Sequence, residues 1–226
     1  MTQPKDPDVD DAGTAGIVGP MAETAEQVYA RIVAAVGEDG HLPMPPQGDW
    51  DIFPWTVVDG AIAPRALPPP ADEAPRWGES PEKPCGLCAK GVEPDRVVWE
   101  DEQWVLTHDG GPTGLPVVVV LHSREHLDYG ELDDDQASEL GRISNRLVRI
   151  VEGLDNVARC HVNRWGDGGE HLHLWFVGRT ARLSNVLGSP TIDWDEIIPP
   201  GPEDVWREDL HAIATKLANW GGEARA

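Results

Sequence analysis

Positive charge is scarce in this chain. Its 18 lysines and arginines stand against 40 aspartates and glutamates, a formal net charge of −22. A polyanion would be repelled by that field, which excludes a general nucleic-acid binder. A small phosphorylated ligand stays open, because it needs only a few local cations or backbone N–H donors. Cysteine is scarce as well, with three residues in 226. That count does not suit a secreted disulfide scaffold and fits a reducing cytosol. No apolar run is long enough to span a bilayer. The opening MTQPKDPDVDDAG lacks an apolar stretch and does not read as a signal peptide. The expectation is a cytoplasmic protein with neither nucleic acid nor membrane as partner. No internal repeat is visible.

What the chain does contain falls into four stretches. Residues 1–20 are polar and rich in Asp and Gly, and are expected to be a disordered tail. Residues 21–84 hold a helix followed by a proline-rich arm. In TAEQVYARIVAAV, Val28, Ile32 and Val36 recur at helical spacing, with Thr24 as cap and Gly37 as stop. The arm, from residue 41, has a hairpin signal at TVVDGAIA, where Asp59-Gly60 is a turn pair. Its Trp50, Phe53, Trp55 and Trp77 give it apolar groups with which to dock. The chain holds ten tryptophans, most of them expected as core and interface filler.

Residues 85–180 carry the strands. RVVWE and QWVLTH read as a pair joined at Asp101-Glu102, and PVVVVL, apolar on both faces, as a central strand. HSREHLDYGEL reads as a loop. Asp133, with Gln136 three residues on, opens a helix whose buried stripe is Leu140, Ile143, Leu147, Ile150 and Leu154. VARCHVNRW is the next strand. Residues 181–226 end in a helix begun near Pro202, striped by Trp206, Leu210, Ile213, Leu217 and Trp220, and stopped at Gly221. The order β-β-β-α-β-β with helices at both ends predicts an α+β domain on a mostly antiparallel sheet.

Two stretches carry chemistry. In GGEHLHLWFVGR, a period of two places His171, His173, Trp175 and Val177 on one face of a strand and Leu172, Leu174 and Phe176 on the other, the core face. A lone histidine there would be ordinary; two in register behind Gly166, Gly168 and Gly169 are not. Cys85-Gly-Leu-Cys88 admits three readings: a redox pair, two metal ligands or two ordinary cysteines. A redox pair wants the start of a helix that follows a strand, whereas a zinc knuckle wants a tight glycine-containing turn. Lys83-Pro84 before the pair and Lys90-Gly91 after it are closer to the knuckle. The remaining ligands would come from His122, His126, His161, His171 and His173. Cys160 reads as packing, and His108, His122 and His161 as polar surface or rim. Arg124, Arg164 and Arg179 are candidates for phosphate contact, although solvated arginines are commoner.

Taken in order, C-G-L-C, VVWEDEQWVLTHD, LPVVVVLHSREHLDYGEL, HVNRWGDGG and H-L-H-L-W resemble the histidine triad (HIT) superfamily. The likeness is strongest to its zinc-containing members and to the galactose-1-phosphate uridylyltransferase branch. It runs from about Cys85 to Arg179, somewhat under half the chain. The resemblance implies a HIT-like antiparallel sheet with a long helix, the Pro-rich N-terminal arm and the C-terminal helix being additions. It implies a structural zinc ion on Cys85, Cys88, His126 and His171. It makes His173 the nucleophile and Asn163 with the backbone of Gly166 to Gly169 the phosphate site, with Gly168 and Gly169 at its centre. The substrate class would be a nucleoside phosphate, the activity that of a nucleotidyl hydrolase or transferase working through a covalent nucleotidyl-histidine, and the assembly a homodimer. The chain departs from the family at Trp175, where hydrolases have His and transferases Gln. Indole has one N–H donor and no acceptor, so it can touch a phosphate oxygen or roof the ligand but cannot shuttle a proton. Glu170 is a second departure, pointing toward an anionic substrate, toward His171 or toward solvent. The rival expectation is a zinc-braced nucleotide-binding or interaction protein without catalysis.

Overall fold

The computed structural model describes residues 21–44 and 53–226. The expected disordered tail (1–20) and Trp50 lie outside the described residues. The first helix, α1 (Ala25–Ala35), opens on Thr24, whose hydroxyl caps the N–H of Gln27 while the Gln27 side chain returns to the Thr24 N–H. Of its expected stripe, Val28 is buried, Ile32 packs at an edge and Val36 is exposed. The hairpin is present as β1 (Trp55–Val58) and β2 (Ala61–Pro64). Asp59 and Gly60 both hold positive φ, the turn that matches the twist of paired strands. The expected docking of the arm through its tryptophans does not occur at Trp55 or Trp77, which are more than half exposed.

Beyond a short helix α2 (Gly86–Lys90), one sheet organises the molecule. Its strands are β3 (Val97–Glu100), β4 (Trp104–His108), β5 (Val117–Ser123), β6 (Val157–Asn163), β7 (His173–Thr180) and β8 (Glu223–Ala224). The order across the sheet is β6-β7-β5-β4-β3-β8, and every pair is antiparallel. The 18-residue helix between β5 and β6 is α3 (Asp134–Val151), capped reciprocally by Asp133 and Gln136 as the sequence predicts. The chain closes through α4 (Thr191–Ile197) and α5 (Glu203–Ala218). Neither α4 nor β8, which the last residues add to the sheet edge, was legible beforehand. The turn into β8 needs glycine: Gly222 has positive φ, and a Cβ there would meet the Glu100 carbonyl at 2.5 Å.

One face of the sheet carries the main core. Leu172, Leu174 and Phe176 from β7 and its approach pack with Val117, Val119 and Leu121 from β5. Against them lie Leu140, Ile143, Leu147 and Ile150 of α3 and Trp206, Leu210, Ile213 and Leu217 of α5. Each such buried side chain contributes about 1.5–3 kcal/mol by removal from water. Trp220, expected in the α5 stripe, is past the helix end and exposed under the Arg146 guanidinium. The opposite face is divided. At one end Val118 and Val177 are covered by Leu115, Val186 and Ile198, with Ile32, Ile192 and Trp194 alongside. At the other end His122 and His173 line an open cleft with Trp175 beside them. The extensions cover the face where it is apolar and leave the histidine end clear. No helix among the described residues is long and apolar enough to cross a membrane.

Candidate metal centre and histidine cleft

Cys85, Cys88, His126 and His171 converge, their ligand atoms all within 4.8 Å of one another. The Cys88 sulfur stands 3.3 Å from His126 Nδ1 and 3.4 Å from His171 Nδ1, and the Cys85 sulfur 3.5 Å from His171 Nδ1. Tetrahedral zinc with N and S ligands places its donors about 3.3–3.8 Å apart, so this set could hold one such ion. Three elements bring the ligands together. The knuckle is a single helical turn rather than the glycine turn expected: Cys85 is the cap of α2, and its sulfur accepts from the Cys88 N–H. His126 lies in the loop after β5, and His171 immediately before β7.

The outer nitrogens are held too. His171, buried, donates from Nε2 to the Ser123 carbonyl at 2.7 Å. His126 Nε2 faces Glu170 at 3.1 Å, so Glu170 turns to this imidazole rather than to a substrate, to His171 or to open solvent. Such partners fix the ring so that the inner nitrogen points at the thiols. Burial lowers the His171 pKa, and the Glu170 carboxylate raises that of His126. Burial raises the Cys88 thiol to about 11, helped by the neighbouring Cys85. Burial acts the same way on Cys85, but the N–H and thiol of Cys88 more than reverse it, and Cys85 is the first of the pair to ionise.

His173 begins β7 and pairs in register with His122 of β5. Its Nδ1 contacts the His171 carbonyl at 2.8 Å and its Nε2 the Trp165 carbonyl at 2.8 Å. A neutral imidazole has one N–H, so it can donate to one of these oxygens only. The cleft beside it, about 520 Å³, is lined by His173, His122, Thr107, His108 and Trp175 with Leu87 on its wall. His122 is pressed by burial, then by the His171 and His173 rings, down to about 4, so it is neutral near pH 7. Its Nε2 lies 3.2 Å from the Thr107 hydroxyl. Expected at a rim, His122 is instead part of the cleft floor. The signal was available: the alternation of Val118, Val120 and His122 along β5 puts it on the face that β7 gives to His173.

Asn163, at the end of β6, pairs with Trp175. The chain then turns back over His173: a Cβ on Gly169 would stand 3.9 Å from His173 Cε1. Trp165 meets Trp175 edge to face, ring centroids 5.8 Å apart. The arm reaches this loop through its backbone. Trp77 donates to the Gly168 carbonyl and accepts from the Glu170 N–H. Arg76 bonds Asp128 at 2.8 Å and the Gly166 carbonyl at 3.1 Å. Asp128 also pairs with Arg164. Burial would raise the Asp128 carboxyl, but the two guanidiniums and the Tyr129 N–H hold it at about 2. Thus Arg164 is engaged by Asp128, Arg124 by Glu100 and the Asp101 carbonyl, and Arg179 by the Thr180 and Leu183 carbonyls. None of the three proposed phosphate arginines lines the cleft. Cys160 is partly buried against the main core, as expected for packing.

No family model matches the chain. Solved structures similar to it include a hypothetical histidine triad nucleotide-binding protein from Sulfolobus tokodaii, 18% identical over 60% of this chain and 91% of that one, TM-score 0.40. A zinc-bound histidine triad family protein from Mycobacterium smegmatis is 18% identical over 58% of this chain and 91% of its own, TM-score 0.41. A uridylyltransferase is 17% identical over 57% of this chain and 42% of its own, TM-score 0.36. The structural neighbours of this mixed fold, with its six-stranded antiparallel sheet, include several histidine triad proteins.

Proposed function

We propose that this chain is a zinc-braced nucleotidyl hydrolase or transferase acting on a nucleoside phosphate, with His173 as its nucleophile. One observation carries the reading: His173 Nδ1 is tied to the carbonyl of His171, two residues back and just before the strand, which turns Nε2 toward the glycine loop. With Nδ1–H donating, the Nε2 lone pair forms a bond to phosphorus while the bond from phosphorus to the leaving group breaks, that group departing with the electron pair. Water or another acceptor then displaces the imidazole and releases the nucleotide. A covalent phosphoramidate splits one displacement into two easier ones.

The supporting groups have separate tasks. The N–H groups of Gly168 and Gly169 and the Asn163 amide would bind phosphate oxygens, where fixed donors favour the charge that grows in the transition state. Cys85, Cys88, His126 and His171 would hold zinc, a closed set that fixes the strand aiming His173 and supplies no reacting ligand. Trp175 would roof the ligand. Because its indole relays no proton, substrates with good leaving groups should react best.

The test is single-turnover incubation with nucleoside phosphoramidates, sugar nucleotides and dinucleoside polyphosphates, wild type against His173→Ala. Loss of turnover by about 100-fold or more in the variant is expected for a nucleophile. A common rate above background would remove His173 as the nucleophile, and no turnover above background in either protein would leave the second reading, a nucleotide-binding module. Trp175 and the carbonyl on Nε2 favour that alternative.

A further inference from the structure

We propose that the Arg76–Trp77 stretch of the proline-rich arm is a latch on the glycine loop, holding the Trp165 carbonyl over His173 Nε2 until a phosphate displaces it. The functional consequence rests on the reading of His173 as nucleophile, whereas the closure rests on geometry alone. A phosphorus atom must come within about 3–3.5 Å of the attacking nitrogen. The Trp165 carbonyl oxygen already stands 2.8 Å from Nε2. The two cannot share that space, so the loop has to withdraw before any phosphoryl group reaches the ring.

The arm supplies the restraint. Trp77 and Gly169 form a parallel bridge, with Trp77 donating to the Gly168 carbonyl at 3.1 Å and accepting from Glu170 at 2.9 Å. Arg76 adds a bond to the Gly166 carbonyl from a guanidinium that Asp128 fixes in place. Gly78 then turns the arm away. Its φ is +110°, and a Cβ there would lie 2.9 Å from His126 Cε1, so the latch is seated against the four-ligand cluster. What is missing from this contact is apolar burial: Trp77 and Trp165 are 57% and 42% exposed. A loop held by a few exposed hydrogen bonds opens at much lower cost than the core does. Its withdrawal frees the Gly168 carbonyl from Trp77 and uncovers Nε2 in the same movement. Arg76 and Trp77 are therefore positioning residues that act through the loop.

Acylation of histidines by diethyl pyrocarbonate, followed residue by residue by mass spectrometry on the full chain as purified, tests the latch without needing turnover. His41, with its side chain 81% exposed, is the internal reference. In wild type, His173 should react about 5–30-fold more slowly than His41, and Arg76→Ala should recover much of that factor while His41 is unchanged. Arg76→Lys keeps a cation beside Asp128 but loses the fork that spans Asp128 and Gly166, and should fall between. If Arg76→Ala does not fold, Arg76→Lys decides. A wild-type His173 as reactive as His41 would show an open loop and overturn the latch. So would a slow His173 left unchanged by the Arg76 variant that is scored. A protein whose turnover survives His173→Ala, but whose His173 labelling still answers to Arg76, would lose the reading of His173 as nucleophile and keep the latch.

Discussion

His171 and His173 stand two residues apart and meet opposite surroundings. His171 is 6% exposed, with one nitrogen turned to two thiols and the other on the Ser123 carbonyl. His173 is half-buried at the edge of an open cleft, with both nitrogens against backbone carbonyls. The first end of the strand is braced by side chains whose types and spacing are written in the sequence. The second is closed by main-chain atoms of a loop and an arm. With the proposed zinc and latch, the contrast sets a rigid part built from side-chain ligands against a movable part held by backbone contacts and the Arg76 guanidinium.

Removing the brace is the largest way to break that contrast. The proposed zinc site predicts about one zinc per chain by elemental analysis of protein purified without chelator. Cys85→Ser, or a chelator, should then lower thermal stability sharply, since apparent zinc-site energies in small domains run to ~10 kcal/mol. His171 and Gly78 would lose their seat together, so loosening should reach the glycine loop. Protein purified in this way and containing no metal would sink the assignment.

Legibility followed the same division. Capped helices and alternating strands could be read directly, because Thr24 and Asp133 each place a glutamine three residues on and β7 sets His173 and Trp175 against the buried Leu174 and Phe176. The meeting of Cys85, Cys88, His126 and His171 followed from the family resemblance carried by the order of the motifs, although neither C-x-x-C nor H-x-H alone would have carried it. The helical turn at Cys85 was not foreseen, because Gly86 follows the cap and argued for a tighter bend. β8 was missed because two exposed residues carry no periodicity. The carbonyl on His173 and the Trp77–Gly169 bridge were invisible for a deeper reason: any residue supplies a backbone oxygen, so no residue type announces it. Arg76 was hidden by the proline-rich composition around it.

A second way to sharpen the comparison is to remove the arm while sparing the brace residues. Deleting residues 1–20 should leave the melting temperature unchanged, since that stretch is mostly polar and holds few large apolar residues. Deleting through Pro84 removes Val28, which is buried, Ile32 from the second apolar cluster, and the latch. The longer truncation should lose several kcal/mol, given about 1.5–3 kcal/mol for each well-buried apolar side chain. Two truncations melting at one temperature would show that the arm is an ornament to the fold.

A smaller effect, on rate rather than stability, belongs to Trp175. It shares a face with His173 and pairs with Asn163 across β6, one pleat along from the reacting ring. Trp175→His restores a group able to carry a proton, and positioned proton transfer contributes about 10²–10⁴-fold in good geometry. A gain at the low end of that range is expected for a poor leaving group, with less gain for an activated ester. Single-turnover rates on the two substrates decide. A variant slower than wild type on both would make the tryptophan a working part of the site, through stacking on the ligand or on Trp165.

The smallest expected effect concerns Asp128, where the arm, the loop and the chain after β5 meet. Burial works to raise its carboxyl, and Arg164, Arg76 and the Tyr129 N–H overcome this, taking it from an ordinary 3.8 to about 2. As pH falls, the unfolded chain takes up this proton before the folded one does. The stability that Asp128 contributes is therefore complete above about pH 4 and disappears as pH falls through 2. With its side chain 16% exposed and both partners near the surface, a contribution of about 1–2 kcal/mol is expected at pH 7 after allowing for solvent screening. Asp128→Asn should lose that amount at pH 7 and converge on wild type by pH 2. Protonation of the proposed zinc ligands would also destabilise the chain in acid, but equally in both proteins, so the difference between their urea midpoints isolates the carboxyl. A difference that stayed at zero from pH 7 to pH 2 would show that the carboxylate's charge contributes nothing, and that Arg76 and Arg164 hold the loop through hydrogen bonds an amide supports equally well.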